Sequence, residues 1–184
     1  AIQADGKILA AGFAQGSGGS RDFALARYTP NGQLDTTFGS SGKVITDFFG
    51  GTDEAHAMAI QPDGKIILAG IARVGSIGDF ALARYRTNGR LDTSFNTTGK
   101  VLTQINDNTD IARALALQTD GKIVVGGYTW MFNRYNYALA RYNSDGTLDS
   151  SFANRGYLTT FVSNSDSAAL SILVEPSGSI VAAG

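Results

Sequence analysis

Cysteine is absent from the 184 residues, so disulfides and thiolate metal sites are excluded, although the compartment is not thereby fixed. Neither sign of charge is in excess: 15 Lys and Arg stand against 16 Asp and Glu. A nucleic-acid or anionic-membrane surface needs a basic surplus, so the balance speaks against both. No apolar run approaches the roughly 18 residues of a spanning helix, and membrane insertion is not expected. Charged residues make up only 17% of the chain, below the usual quarter, and hydrophobic residues 43%, which excludes a disordered solvating segment. Histidine occurs once, at His56, so no histidine site can recur along the chain. There is no GxSxG, HExxH, P-loop, dinucleotide or EF-hand pattern. Gly16-Ser17-Gly18-Gly19 matches a phosphate loop only in composition and reads as a flexible connection. Without a starting methionine or a charged-then-apolar leader, any targeting signal is expected to have been removed or to lie outside the chain.

What the chain does have is repetition. AIQADGKILAAG from Ala1 returns as AIQPDGKIILAG from Ala59, ALQTDGKIVVGG from Ala116 and LVEPSGSIVAAG from Leu173. The turn glycines Gly6, Gly64, Gly121 and Gly178 are spaced by 58, 57 and 57 residues. ALARY recurs at Ala24–Tyr28, Ala81–Tyr85 and Ala138–Tyr142. NGQLDTTF from Asn31, NGRLDTSF from Asn88 and DGTLDSSF from Asp145 follow at the same spacing. Three motifs in one order at one period define tandem units at about 1–57, 58–114 and 115–171, with a partial unit at 172–184.

Each unit reads as four strands. Ala55–Ile60 and Ala112–Leu117 alternate with period two, although their alanines also suit a helix. Turns are predicted at Asp63-Gly64, Asn88-Gly89, Asp120-Gly121 and Asp145-Gly146, because glycine accepts positive φ without strain. Lys65–Ile71, Asp79–Tyr85 and Lys100–Ile105 supply the second, third and fourth strands. Ala55, Ala57 and Ala59 are expected on one face of the first strand, with His56, Met58 and Ile60 on the other. Ala81 and Ala83 likewise oppose Phe80 and Leu82 in the third. A large face stacked on a small one fills the space between successive sheets, as in a β-propeller. The fold class is therefore all-β, tandem four-stranded antiparallel blades, with another β-solenoid as the alternative.

QPDGKIILAG, DFALARY and NGRLDTSF resemble the delta-60 repeat family of bacterial proteins, which belongs among the β-propeller repeats. The resemblance extends over essentially the whole chain and implies a larger, secreted or cell-surface protein. Asn136-Tyr137 in place of Asp-Phe, and Ser177-Gly178 in place of Asp-Gly, depart from the pattern. Three units and a fraction fall short of the usual four to eight blades. Either the chain is a fragment of a longer ring, the favoured reading, or copies of it close a ring together.

Three features carry chemistry. Arg27, Arg84 and Arg141 each precede Asp35, Asp92 and Asp149 by eight residues, and structural pairs are expected, with Arg84→Ala costing roughly 1–3 kcal/mol. Asp53, Asp110 and Asp166 precede the first strand of their units, either closing a turn or ringing a channel mouth that attracts a cation. The segment Tyr128–Tyr137, YTWMFNRYNY, breaks the repeat at unchanged length and holds the chain's one tryptophan. It is expected to be a loop whose Trp130, Phe132, Arg134 and Tyr135 face a protein or glycan partner, with Tyr128 and Tyr137 packed inward at strand ends. Packing against a flanking domain or a second copy is the alternative. The functional expectation is a non-catalytic interaction module with no cofactor and no metal. The alternative is a lactonase-like or lyase-like propeller enzyme, whose acid, base or metal groups would converge on the central channel. Alanines at the first-strand positions favour the module.

Overall fold

The computed structural model describes residues 1–16, 18–153 and 155–184, so Ser17 of the glycine-rich connection lies outside the described residues. All the named elements are strands, in four antiparallel sheets whose order follows the chain. The first sheet contains β1 (Ile8–Gln15), β2 (Arg21–Tyr28) and β3 (Lys43–Thr46), with Ile2 bridging to Ile8. The second contains β4 (Asp53–Ile60), β5 (Ile66–Val74), β6 (Ile77–Tyr85) and β7 (Lys100–Thr103). The third contains β8 (Asp110–Leu117), β9 (Ile123–Met131), β10 (Arg134–Tyr142) and β11 (Tyr157–Thr160). A pair, β12 (Ser171–Val174) and β13 (Ile180–Ala183), begins the next. These are consecutive blades of a β-propeller, and the helical alternative for the alanine-rich segments fails.

The turns form where the glycines place them. Gly64, Gly89, Gly121 and Gly146 all have positive φ, between 80° and 90°. Gly64 donates its N–H to Gln61 O at 2.9 Å, and the carboxylate of Asp63 accepts from Lys65 N–H at 3.1 Å. Each turn is thus a tight bend closed by its glycine and braced by the preceding Asp or Asn.

Large residues of one blade rest on small residues of the next. Phe23 and Leu25 of β2 share a buried cluster with Ala81 and Ala83 of β6. Phe80 and Leu82 of β6 share the following cluster with Ala138 and Ala140 of β10. Burying a Phe or Leu contributes about 2 kcal/mol, so this stacking is the main stabilisation between blades. The first strands differ from expectation. A β-bulge at His56 shifts the register between Ala55 and Ala57, and Arg113 marks the same bulge between Ala112 and Ala114. The inserted residue turns the following side chains over. Ala55 therefore faces the first blade and Ala57 the third, rather than sharing one face.

An ionic lock joins neighbouring blades at the ALARY and LDxxF motifs. Arg84 Nε donates to Asp92 Oδ2 at 3.0 Å, Nη2 to Ser94 Oγ at 3.2 Å, and Nη1 to the carbonyl of Ser144 in the next blade. Its guanidinium lies 4.5 Å from the centre of the Phe95 ring. Arg27 repeats the set with Asp35, Thr37, Thr87 O and Phe38. Arg141 pairs with Asp149 at 2.8 Å and covers Phe152. Lys7, Lys65 and Lys122 of the DGK turns add a second cation to each aspartate. The Tyr of ALARY completes the join: Tyr85 OH donates to Thr46 Oγ1 at 2.9 Å and Tyr142 OH to Thr103 Oγ1 at 2.8 Å.

Candidate functional site

The four residues expected to meet a partner lie on one hairpin. β9 runs to Met131 and β10 begins at Arg134, so Tyr128–Tyr137 is almost wholly strand, with Phe132-Asn133 as its turn. This corrects the expected loop. The alternation of Tyr, Trp and Tyr with polar residues continues the two-residue period of the strands to the hairpin tip. Tyr128 and Tyr137 are a cross-strand pair within the hairpin, not residues at strand ends. Phe132 and Asn133 have φ of 54° and 60°, as a two-residue hairpin turn requires. Asparagine tolerates that region; a phenylalanine seldom enters it.

Trp130 and Tyr135 face each other across the strands, ring centres 4.8 Å apart and nearly perpendicular. Tyr135 in turn meets the edge of Tyr128 at 4.7 Å, whose hydroxyl accepts from Arg113 Nη2 at 3.0 Å. Trp130 and Tyr135 are half-buried, while Phe132 at the tip is 68% exposed and rests on Phe161. Arg134 lies over the same Phe161 ring. Trp130 N–H donates to Thr109 O at 3.0 Å, which places the hairpin tip at the end of the blade where β8 begins. The structure thus places all four residues on one hairpin in two groups, Trp130 with Tyr135 on one face and Arg134 with Phe132 at Phe161. It adds Asp107 and Asn108, exposed in the β7–β8 connection beside Trp130, which the sequence reading missed. Their signal was in the repeat, since Gly50-Gly51 occupies the same place one unit earlier.

Asp53 and Asp110, the first residues of β4 and β8, close turns. Asp53 accepts from Phe48 N–H at 2.8 Å and Arg73 N–H at 3.3 Å. Asp110 accepts from Ile105 N–H at 2.7 Å, Asn106 N–H at 3.3 Å and the Thr129 hydroxyl. Asp166 instead accepts from Tyr135 N–H at 2.8 Å. Carboxylate oxygens of Asp22, Asp47 and Asp53 lie within 4.8 Å of one another. Gln104 replaces Asp47 in the next unit, so the trio does not recur there. The side chains of Asp22, Asp47 and Asp53 already accept from Ser20, Gly50, Phe48 and Arg73.

Burial pushes the Asp110 carboxyl up to about 6 against the pull of those donors, with nearby Asp79 raising it further. Asp79 is itself pushed up by burial, and its Oδ1 is buried without a hydrogen-bond partner. Asn136, at the same position in the third blade, donates its amide to Met131 O at 3.0 Å and Arg134 O at 3.1 Å. Only a protonated carboxyl can imitate that donation. A raised carboxyl stabilises the fold fully below its unfolded value of 3.8, and this contribution is lost as pH rises through about 6. His56 acts in the opposite direction: burial and then the Arg113 charge hold it below 6.5, so its contribution is lost as pH falls. In His56→Gln, urea unfolding is expected to show stability rising by about 2 kcal/mol between about pH 7 and about pH 4.5. A flat or falling profile would contradict the assignment. Below about pH 4 the trend reverses, because Asp35, Asp92 and Asp149 sit below the usual carboxylate range.

A family model described as "Domain of unknown function (DUF5122) beta-propeller" matches residues 3–38, 61–95 and 118–152, together more than half of the chain. Each match runs from the DGK turn to the phenylalanine of the ionic lock, and the first and fourth strands fall between matches. No curated protein matches the sequence.

Proposed function

Because the chain belongs to the DUF5122 β-propeller family, which is the delta-60-like repeat its motifs resemble, we propose that it is a non-catalytic interaction module of a larger secreted or cell-surface protein. It binds a protein or glycan partner through the end of the propeller that carries the β9–β10 hairpin. One observation carries this reading. Trp130, Phe132, Arg134 and Tyr135 all lie on a single hairpin, with Trp130 and Tyr135 packed edge to face, whereas the β5–β6 hairpin has Arg73, Gly75, Ile77 and Gly78 at those places. Aromatic and arginine side chains are the usual anchors of an interface, and a rigid anchor loses little entropy on binding.

The non-catalytic part is supported by how the repeated charges are used. The arginine–aspartate pairs and Asp53 and Asp110, the first residues of β4 and β8, satisfy neighbouring groups of the fold. A glycan array and a pull-down from surface-protein extracts, run with wild-type chain and Trp130→Ala in parallel, test the reading. Trp130→Ala is expected to weaken binding by about 2 kcal/mol or more with little change in melting temperature. A partner bound equally by both proteins would reject it. Metal analysis of the purified protein separates the module from a metal-dependent propeller enzyme.

A further inference from the structure

We infer that the notch between the second and third blades, beside the aromatic hairpin, binds a neutral saccharide. This rests on the interaction-module reading and narrows its partner to one chemical class. The notch encloses about 350 Å³ and is lined by Trp130 and Tyr135 of the hairpin, Asp107 and Asn108 of the β7–β8 connection, and Ser76 of the β5–β6 turn.

Its walls are fixed before any ligand arrives. The Trp130 backbone donates to Thr109 O and accepts from the Asn106 side-chain amide at 3.3 Å. Asn108 N–H donates to Asn106 Oδ1 at 2.6 Å, which holds the connection in a tight bend. Tyr135 is braced by Tyr128, which Arg113 in turn holds through its hydroxyl. Asp107 and Asn108 are exposed, and their side chains take no hydrogen bond among the described residues.

A sugar ring presents a C–H face to an aromatic side chain and hydroxyls to carboxylate and amide groups around it. Aromatic rings on one wall and a carboxylate, an amide and a hydroxyl on the others match both demands. The Asp107 charge disfavours uronates, sialic acids and sulfated sugars. An extended peptide finds less here. β9 and β10 pair with each other up to the turn, and Trp130 N–H is already taken, so no open strand edge faces the notch.

The preceding unit serves as an internal comparison. Arg73, Gly78, Gly50 and Gly51 stand there in place of Trp130, Tyr135, Asp107 and Asn108. The adjoining Thr52-Asp53 and Thr109-Asp110 are identical. Four positions on three segments differ together, and the groups that hold them differ with them, Phe49, His56 and Ile71 standing in place of Asn106, Arg113 and Tyr128. A requirement of the fold alone would be met alike in both units.

Trp130 is the single tryptophan, so its fluorescence reports on the notch directly. Neutral hexasaccharides of glucose, mannose, galactose, xylose and N-acetylglucosamine are titrated in turn, with hexagalacturonate as the charged counterpart. At least one neutral sugar is expected to change the emission saturably, and hexagalacturonate to leave it unchanged. Asp107→Ala and Asn108→Ala should each weaken that binding about tenfold with unaltered melting, while Arg90→Ala, exposed at the opposite end of the second blade, leaves it within about twofold. No response to any neutral sugar up to roughly 10 mM overturns the inference, as does binding that both alanine variants leave intact. If the sugars fail but a protein partner is still lost on Trp130→Ala, only the saccharide inference falls. If neither is bound, the module reading falls with it.

Discussion

Gly127→Ala is expected to lower stability by at least about 3 kcal/mol in urea unfolding, and Gly70→Ala by a similar amount. The two glycines hold the same place in VVGG and ILAG. Gly127 pairs with Ala112 at the edge of the bulge, where the shifted first strand crosses close to the second. A Cβ at Gly127 would fall on the carbonyl oxygen of Ile111 and within 2.9 Å of Ala112 Cα, both backbone atoms that cannot rotate aside. Gly70 meets Glu54 O and Ala55 in the same way. A cost below about 1 kcal/mol at either site would show that the bulge does not set the spacing between the first and second strands.

Arg84→Ala should cost about 3 kcal/mol, the largest effect expected from removing a single charge. Four contacts go at once: Asp92, Ser94, the carbonyl of Ser144 and the face of Phe95. Asp92 is only 2% exposed, and without the guanidinium its carboxylate keeps Ser94 and the more distant Lys65 and Arg86, each at 3.6 Å. Burial alone would push that carboxyl up. At present the Ser94 hydroxyl and N–H, then the Arg84 and Lys65 charges, outweigh burial and hold it low. Arg141→Ala is the matched comparison. Arg141 is 18% exposed at its side chain against 6% for Arg84, and its bonds are to Asp149 and Ser151 within one blade. Its loss should therefore cost less than half as much. Arg84→Lys is expected to rescue little, because an ammonium cannot span Asp92 and Ser144 together. Cost below about 1 kcal/mol for Arg84→Ala would place the pair among weak surface bridges.

Much of this protein could be read directly from its residues. Period-two alternation, the DG and NG turns and the alternation of Phe-x-Leu with Ala-x-Ala specified the strands, their order and the large-on-small stacking, because each is a local rule repeated at a fixed spacing. The Arg–Asp pairs were legible for the same reason: eight residues bring both side chains to one end of a strand and the turn beyond it. The hairpin was half legible. Its aromatic content was visible, but a period-two pattern interrupted by Phe132-Asn133 has no glycine to announce the turn, so the segment resembled a loop.

The sequence by itself determined the fold class, the repeat length, the turns and the identity of the paired charges, since these depend on neighbours along the chain. Only the tertiary structure decided the rest. The bulges at His56 and Arg113 are a matter of register between strands, and nothing in AHAMAI or ARALAL marks the extra residue. The reach of Arg27 and Arg84 to Thr87 O and Ser144 O joins groups 60 residues apart, which depends on how one blade lies on the next. The meeting of Asp107 and Asn108 with Trp130 and Tyr135 is of the same kind. A notch between two blades has walls from three segments, and its shape exists once the blades have stacked.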